Sequence, residues 1–383
     1  MAHKIVTVYS CGDSTKLSTW SNVPYLFCQS LENKGIKINR VNIEPNKKLS
    51  KIFNYISFLI FRRIFQFRSC PEYHRTLLHR FIIQHKLRKA AIRYKDSDMN
   101  LFLSYAFINR YSNIPNILWC DWTDRVVIER QGRGICWYEK KSLAHEDKTI
   151  RDADVVYTMF PVCKEHMEQL YGREFRYLDR NVINTVYDKN YNIDTTIEQR
   201  YISNNILFIG NHRYQGAAEE LISACDRLRK LYPGLNLHII GMTSNELHLT
   251  SDVSWIKCYG YLHKDKPKEK DLYYELLLNA KVFVNPAAQW GGYSSTVEAM
   301  YYGCPVIVSP YDDFAANFGK EINFGIYHKS GELTDEISTI LNMPENEYKS
   351  ISRNAANSVK DYTWDNYINL FLNDLKKSGI NLD

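Results

Sequence analysis

No part of this 383-residue chain is apolar for long. The longest such run, Tyr55 to Phe61, falls far short of the roughly 20 residues that a membrane-spanning helix needs, so no crossing is expected. The opening Met1-Ala2-His3-Lys4 runs straight into an apolar strand, without the charged and apolar regions of a secretory leader. Nine cysteines include no C-x-x-C pair, which argues against a zinc site or a disulfide framework and for reduced thiols in a cytoplasmic protein. Neither charge sign dominates: 49 Lys+Arg against 43 Asp+Glu leave +6, which suits an anionic ligand or surface and is too weak to imply nucleic acid. There is no repeat at solenoid periods, no low-complexity tract and no cluster of metal-ligand type. What remains is a chain long enough for two ordinary domains, with 45% hydrophobic residues to fill their cores.

The most informative stretch is VFVNPAAQWGGYSSTVEAMYYGCPVIVSP, from Val282 to Pro310. A β-branched run ends at Asn285-Pro286. The pair Gly291-Gly292 leads through Tyr293 into Ser294-Ser295-Thr296, helix formers run from Val297 to Tyr302, and Gly303 stops them before the apolar Val306-Ile307-Val308. Strand, glycine turn, helix and strand make one unit of a parallel α/β sheet. Glycines ahead of a helix N-terminus gather backbone N–H groups around an anion, so a phosphate is expected there. The same residues also spell a capping box, Ser295 with Glu298, which would satisfy helix donors without a ligand. The two readings are compatible.

The chain opens on a strand (Lys4 to Tyr9), a loop (Ser10 to Asn22), a helix (Val23 to Lys34) and a strand (Ile38 to Ile43), a Rossmann-like start that lacks G-x-G-x-x-G. Its loop holds Trp20 and Ser21 where such a sheet binds ligands, although Trp20 would serve equally as packing. Lys51 to Lys95 mixes aromatic, aliphatic and basic residues, with Glu72 alone among acids from Phe61 onward. That mixture suits docking on an anionic membrane surface, and a buried helix followed by a solvated basic one is the alternative. Strands follow at Asn100 to Leu103 and Asn116 to Cys120. The second ends in Asp121-Trp122-Thr123-Asp124, a carboxylate pair on the ligand side of an open sheet. After a strand at Asp154 to Thr158 and a helix from Val162 to Tyr171, the polar stretch from Tyr187 to Asn205 reads as a linker. A second α/β domain starts at Ile206 to Gly210. Its loop, Asn211 to Gly216, carries His212 and Arg213, and Arg213 is the better phosphate partner because a guanidinium binds bidentately. The run Lys264 to Lys270 reads as a solvated loop of mixed charge, and Trp364 to Lys377 as a last amphipathic helix.

With these residues in view, the chain resembles the GT-B glycosyltransferases, and within them the retaining E-x7-E group (family 4-like, glycosyl transferases group 1). The V-E-A-M-x-x-G-x-P-V-I-V-S string carries the resemblance, and the closing Tyr362-Thr363-Trp364 and its helix fit the same group. The resemblance implies α/β architecture with two Rossmann-like domains facing each other across a cleft. Residues 1–186 would form the acceptor domain, 187–205 a linker, 206–363 the donor domain, and 364–383 a helix returning to the first domain.

It also implies a nucleotide-diphosphate sugar as donor, a glycan or lipid-linked acceptor, retention of configuration, and no metal or other cofactor. The setting would be cell-surface polysaccharide or glycoconjugate synthesis, on the inner face of the cell membrane. Glu298 matches the second motif glutamate, which grips the donor ribose. Gly291 matches the glycine after the first, and Gly210, Asn211, Arg213, Gln215, Gly292, Tyr293, Ser294, Ser295 and Thr296 complete the donor set. Asp121 falls near the position that faces the reacting sugar, and Trp20 and Ser21 would meet the acceptor. Two departures stand out. Trp290 replaces the first glutamate, which suggests a less polar or deoxy sugar, and Gln215 replaces the lysine of the phosphate loop. A decayed, non-catalytic partner protein and a nucleotide-sugar epimerase of the same architecture are the competing readings.

Overall fold

A computed structural model of the chain describes residues 4–67, 69–249, 253–288 and 292–382. Two compact units divide it, the first running to Arg180 and taking up the chain again from Tyr367, the second spanning Asn181–Asn366.

The first unit is built on five parallel strands, β1 (Ile5–Ser10), β2 (Lys37–Asn42), β3 (Met99–Leu103), β4 (Asn116–Cys120) and β5 (Val155–Thr158), in the order β2-β1-β3-β4-β5. Register is set by pairs such as Val6 with Met99 and Ile117 with Val155. β3 and β5 are buried at every residue, as strands covered on both faces must be. The order reverses between β1 and β3, so the loops after those strands open the crevice where such sheets bind ligands. The C-terminal segment belongs to this unit: Trp119 donates its indole N–H to the Tyr367 hydroxyl at 2.6 Å, and Phe371 packs edge-on against Phe27.

The second unit has six parallel strands, β6 (Asn205–Ile209), β7 (Asn236–Ile240), β8 (Ile256–Cys258), β9 (Val282–Asn285), β10 (Val306–Val308) and β11 (Gly325–Tyr327), in the order β11-β10-β9-β6-β7-β8. Strand order runs outward both ways from the β6–β9 pair, the arrangement of a doubly wound nucleotide-binding sheet. Ile206, Phe208, Val282, Val284 and Ile307 fill the core beneath it with Leu221 and Ile337 from flanking helices.

Three expectations are corrected. The stretch 187–205 holds a helix, Ile193–Tyr201, started by Asn192, whose side chain accepts from the Thr195 N–H at 3.1 Å. In its last turn Arg200, fully buried, donates to the carbonyls of Tyr302 (2.8 Å) and Leu277 (3.1 Å) and bolts the helix into the second unit. The run Lys264–Lys270 is not a solvated loop throughout: Pro267–Asn279 is a helix, and Lys264 is buried in front of it. The capping box does not form either. The helix after β9 is Ser294–Tyr301, so Ser295 lies inside it and the cap position falls on Tyr293, with no side-chain cap bond.

Lys51–Lys95 becomes a helix, Lys47–Ser57, continued by a π-helical turn, Phe58–Ile64, and then a second helix, Leu77–Arg93. The first half is far from buried. Among the described residues, thirteen of the twenty exposed large hydrophobic side chains lie between Leu49 and Phe81.

Candidate functional site

At the carboxyl ends of the central strands of the second unit, four loops enclose a cavity of about 490 Å³. Arg213, Tyr214 and Gly216 line it from the loop after β6, Pro286 to Ala288 from after β9, Ser309 and Pro310 from after β10, and His328 and Ser330 from after β11. This is the switch point of the sheet, where strand order reverses.

The loop after β6 is tightly built. Gly210 and Gly241 are pressed together, and a Cβ on Gly241 would sit 2.5 Å from the Gly210 carbonyl oxygen. Gly241 also holds φ +100°, a conformation only glycine adopts without strain. Asn211 accepts the Arg213 N–H at 3.0 Å through Oδ1 and so starts the turn His212–Tyr214, leaving the exposed Arg213 on the cavity wall. Gln215 turns away and donates to Glu219 at 2.8 Å. His328, which no sequence signal singled out, is buried with Nδ1 2.8 Å from Glu336 and Nε2 3.3 Å from Glu220.

Across the sheet face, the helix Ser294–Tyr301 starts with no capping side chain, and its first backbone bond is from the Val297 N–H to the Tyr293 carbonyl. The N–H groups of Ser294, Ser295 and Thr296 therefore lack intrahelical partners, as the first turn of any helix does. The positive end of the helix dipole lies at the same place. The Tyr293 ring is fully buried against Phe314 and Tyr311, so only its main chain could meet a ligand. The Thr296 hydroxyl is buried with no hydrogen-bond partner among the described residues. Gly292 is exposed; Trp290 and Gly291 lie outside the described residues.

One turn further on, Glu298 is 2% exposed, and both of its oxygens are taken. Oε1 accepts from Lys264 at 2.9 Å and the Tyr274 hydroxyl at 3.0 Å; Oε2 accepts from Lys264 at 2.9 Å and the Tyr273 hydroxyl at 2.9 Å. Desolvation pulls the Lys264 ammonium below its ordinary pKa, and the Glu298 carboxylate opposes that pull. Burial, with Glu298 next, drives both tyrosine pKa values up, so the two hydroxyls stay protonated donors.

In the first unit, Asp121 stands at the carboxyl end of β4. Its Oδ1 accepts from the Trp122 N–H at 2.8 Å and the Cys120 thiol at 3.2 Å, and desolvation raises its pKa. Asp124 is structural by comparison, opening the helix Asp124–Arg130 and pairing with Arg75 at 3.1 Å. Trp20 packs edge-on against the core residue Trp119, with ring centroids 5.8 Å apart. Trp20, Ser21 and Asn22 all have positive φ (39°, 52° and 73°). Three such non-glycine residues in a row store strain, a feature that gathers at ligand-binding loops.

Among the described residues no cluster of His, Cys, Asp and Glu could hold a metal ion. No helix among them is long and apolar enough to cross a membrane.

Residues 203–343 match the family model described as "Glycosyl transferases group 1". No curated protein matches the chain. Among solved structures, sucrose-phosphate synthase from Thermosynechococcus elongatus aligns over 98% of both chains, with TM-score 0.69 and 13% identity. WaaG, a glycosyltransferase involved in lipopolysaccharide biosynthesis, aligns over 98% of this chain and 99% of its own, with TM-score 0.62 and 13% identity. TarM from S. aureus, in complex with UDP and α-GlcNAc-glycerol, aligns over 76% of this chain and 58% of its own, with TM-score 0.56 and 13% identity. Identities this low speak for the fold alone.

Proposed function

We propose that this chain, which has the GT-B fold and carries a glycosyl transferases group 1 segment at residues 203–343, transfers a sugar from a nucleotide-diphosphate donor to a glycan or lipid-linked acceptor with retention. The observation that carries the reading is Glu298, a buried carboxylate one turn below uncapped helix N–H groups, beside the switch point of a doubly wound sheet.

In this reading the donor diphosphate lies against the N–H groups of Ser294 to Thr296 and the Arg213 guanidinium, and Glu298 receives the ribose hydroxyls. As the bond between the anomeric carbon and the phosphate oxygen breaks, negative charge grows on the diphosphate. Fixed N–H donors, the helix dipole and Arg213 stabilise that charge without reorganising. The acceptor oxygen attacks from the face the diphosphate leaves, and its proton passes to the departing phosphate, so no protein nucleophile is called for. Asp121, whose carboxyl is raised above its ordinary pKa by desolvation, is the first unit's candidate for positioning the acceptor hydroxyl. Trp20 and Ser21 line the acceptor's approach.

The acceptor is met at an anionic membrane surface on the cytoplasmic side. Support comes from the apolar side chains exposed between Leu49 and Phe81, from Lys51, Arg62 and Arg63 among them and from Lys47 and Lys48 just before them, with no acidic residue between Glu44 and Glu72. Exposed aromatics in a basic field bind a lipid headgroup layer through both terms.

The test is release of the nucleotide from a panel of UDP-, GDP-, dTDP-, ADP- and CMP-sugars in the presence of membrane extract. One donor should be turned over, and Arg213→Ala should cut the rate at least tenfold. A wild-type protein that binds a nucleotide sugar and turns over none would instead favour the non-catalytic partner.

A further inference from the structure

Lys264, like His328, was hidden by its sequence context. It sits between β8 and the helix Pro267–Asn279, and its side chain is 11% exposed. Its ammonium spans both oxygens of Glu298 at 2.9 Å and lies over the Tyr273 ring, 4.1 Å from its centroid. Yet the two tyrosine hydroxyls already hold that carboxylate, one on each oxygen. A buried ammonium is an expensive way to add a third support, since desolvating it costs several kcal/mol that an apolar side chain would not. In the loop after β6, Gln215 is spent on Glu219, which leaves Arg213 as the cation that loop presents to the cavity.

The two facts meet at the helix Ser294–Tyr301. Glu298 lies four residues, about 6 Å, from its N-terminal end at a rise of ~1.5 Å per residue, so an ammonium released from Glu298 has about that far to travel. Ribose hydroxyls seeking Glu298 compete for the oxygens that Lys264 occupies.

We propose that Lys264 is a latch that docks on Glu298 until a donor arrives, is displaced from it by the ribose, and swings to the diphosphate as a second cation beside Arg213. The inference rests on the donor-site reading above. It makes Lys264 a specificity-determining residue: it favours diphosphates over monophosphates, because only a second phosphate repays the pair that is broken. It also ties donor binding to movement of the segment that carries Lys264.

The test is calorimetric binding of UDP, GDP, dTDP and ADP, each against its monophosphate, to wild type and K264M. Wild type should prefer one diphosphate over its monophosphate, and K264M should lose at least tenfold of that preference while binding the monophosphate at least as tightly, since no pair then has to be broken. K264M leaves Glu298 buried without its cation, so a second pair, E298Q against K264M/E298Q, makes the same comparison with the carboxylate neutralised. A lysine that merely bolts the segment down would change stability and leave the diphosphate-to-monophosphate ratio alone. An unchanged ratio in either background overturns the latch. If wild type binds none of the eight nucleotides, it is the donor-site reading that fails.

Discussion

Glu298→Ala removes the carboxylate on which three buried donors converge, and its cost can be worked from the contacts. The Lys264 ammonium, only 11% exposed, loses its counter-charge, and the hydroxyls of Tyr273 and Tyr274 lose their acceptor. Breaking a buried pair by removing one partner costs about 3–5 kcal/mol, because the charge left behind stays desolvated. For a unit of this size each kcal/mol moves the midpoint by about 2–4 °C, so a drop of about 6–20 °C is expected in the calorimetric transition of the second unit. Replacing both partners, as K264M/E298Q, removes the charges at similar volume and should recover most of the loss. The coupling in the cycle of K264M, E298Q and K264M/E298Q should exceed about 1 kcal/mol, well beyond the ~0.5 kcal/mol within which independent sites add. Additive losses would refute the pairing, and with it the claim that Lys264 is spent on Glu298.

Three further outcomes are expected. In the first unit, burial, with Asp124 next, pushes the Glu146 carboxyl up to about 8 while it accepts the Asp124 N–H at 3.0 Å. A raised folded pKa means stability fully present below the unfolded value near 4.5 and lost as pH rises through 8, at up to about 1.4 kcal/mol per pH unit. Urea melts of wild type should show that slope and Glu146→Gln should flatten it, whereas a pH-independent wild type contradicts the buried acid. Gly325→Ala places a Cβ 2.0 Å from the Val306 carbonyl oxygen within the β10–β11 pairing, so the second unit should lose at least about 2 kcal/mol in chemical denaturation. On the exposed apolar face, Ile56→Asp with Phe65→Asp should reduce co-sedimentation with vesicles containing anionic lipid by at least tenfold and leave the melting midpoint within a degree or two. Unchanged vesicle binding would remove that face as the membrane contact.

Much of the sheet architecture was legible because its strands are short β-branched or aromatic runs buried on both faces. Val282 to Val284, Val306 to Val308 and Ile206 to Ile209 all announce themselves, and the final helix, Trp364–Lys377, has the bounds its amphipathic spacing indicates. The edge strands of the second sheet were not legible. β8 is three residues long with a lysine at its centre, and β11 begins on a glycine that only the closeness of Val306 explains. The helix Ile193–Tyr201 hid in a polar stretch because its anchor is one buried arginine bonded to carbonyls 77 and 102 residues away. Lys264 was misread for the same reason. Charge density along the chain points to solvent, and its partner lies 34 residues further on. The capping box failed because spacing alone does not say where a helix starts, and Glu298 finds its partners across the unit rather than at its own N-terminus.

The most direct measurement is the melting midpoint of the protein with and without UDP, GDP, dTDP, ADP and CMP. A ligand that binds only the folded state contributes about 2.7 kcal/mol at 100 times its dissociation constant. One diphosphate should raise the midpoint of the second unit's transition by several degrees, and the Arg213→Ala protein should show less than half that shift. No shift with any of the five nucleotides would contradict a nucleotide-diphosphate donor site.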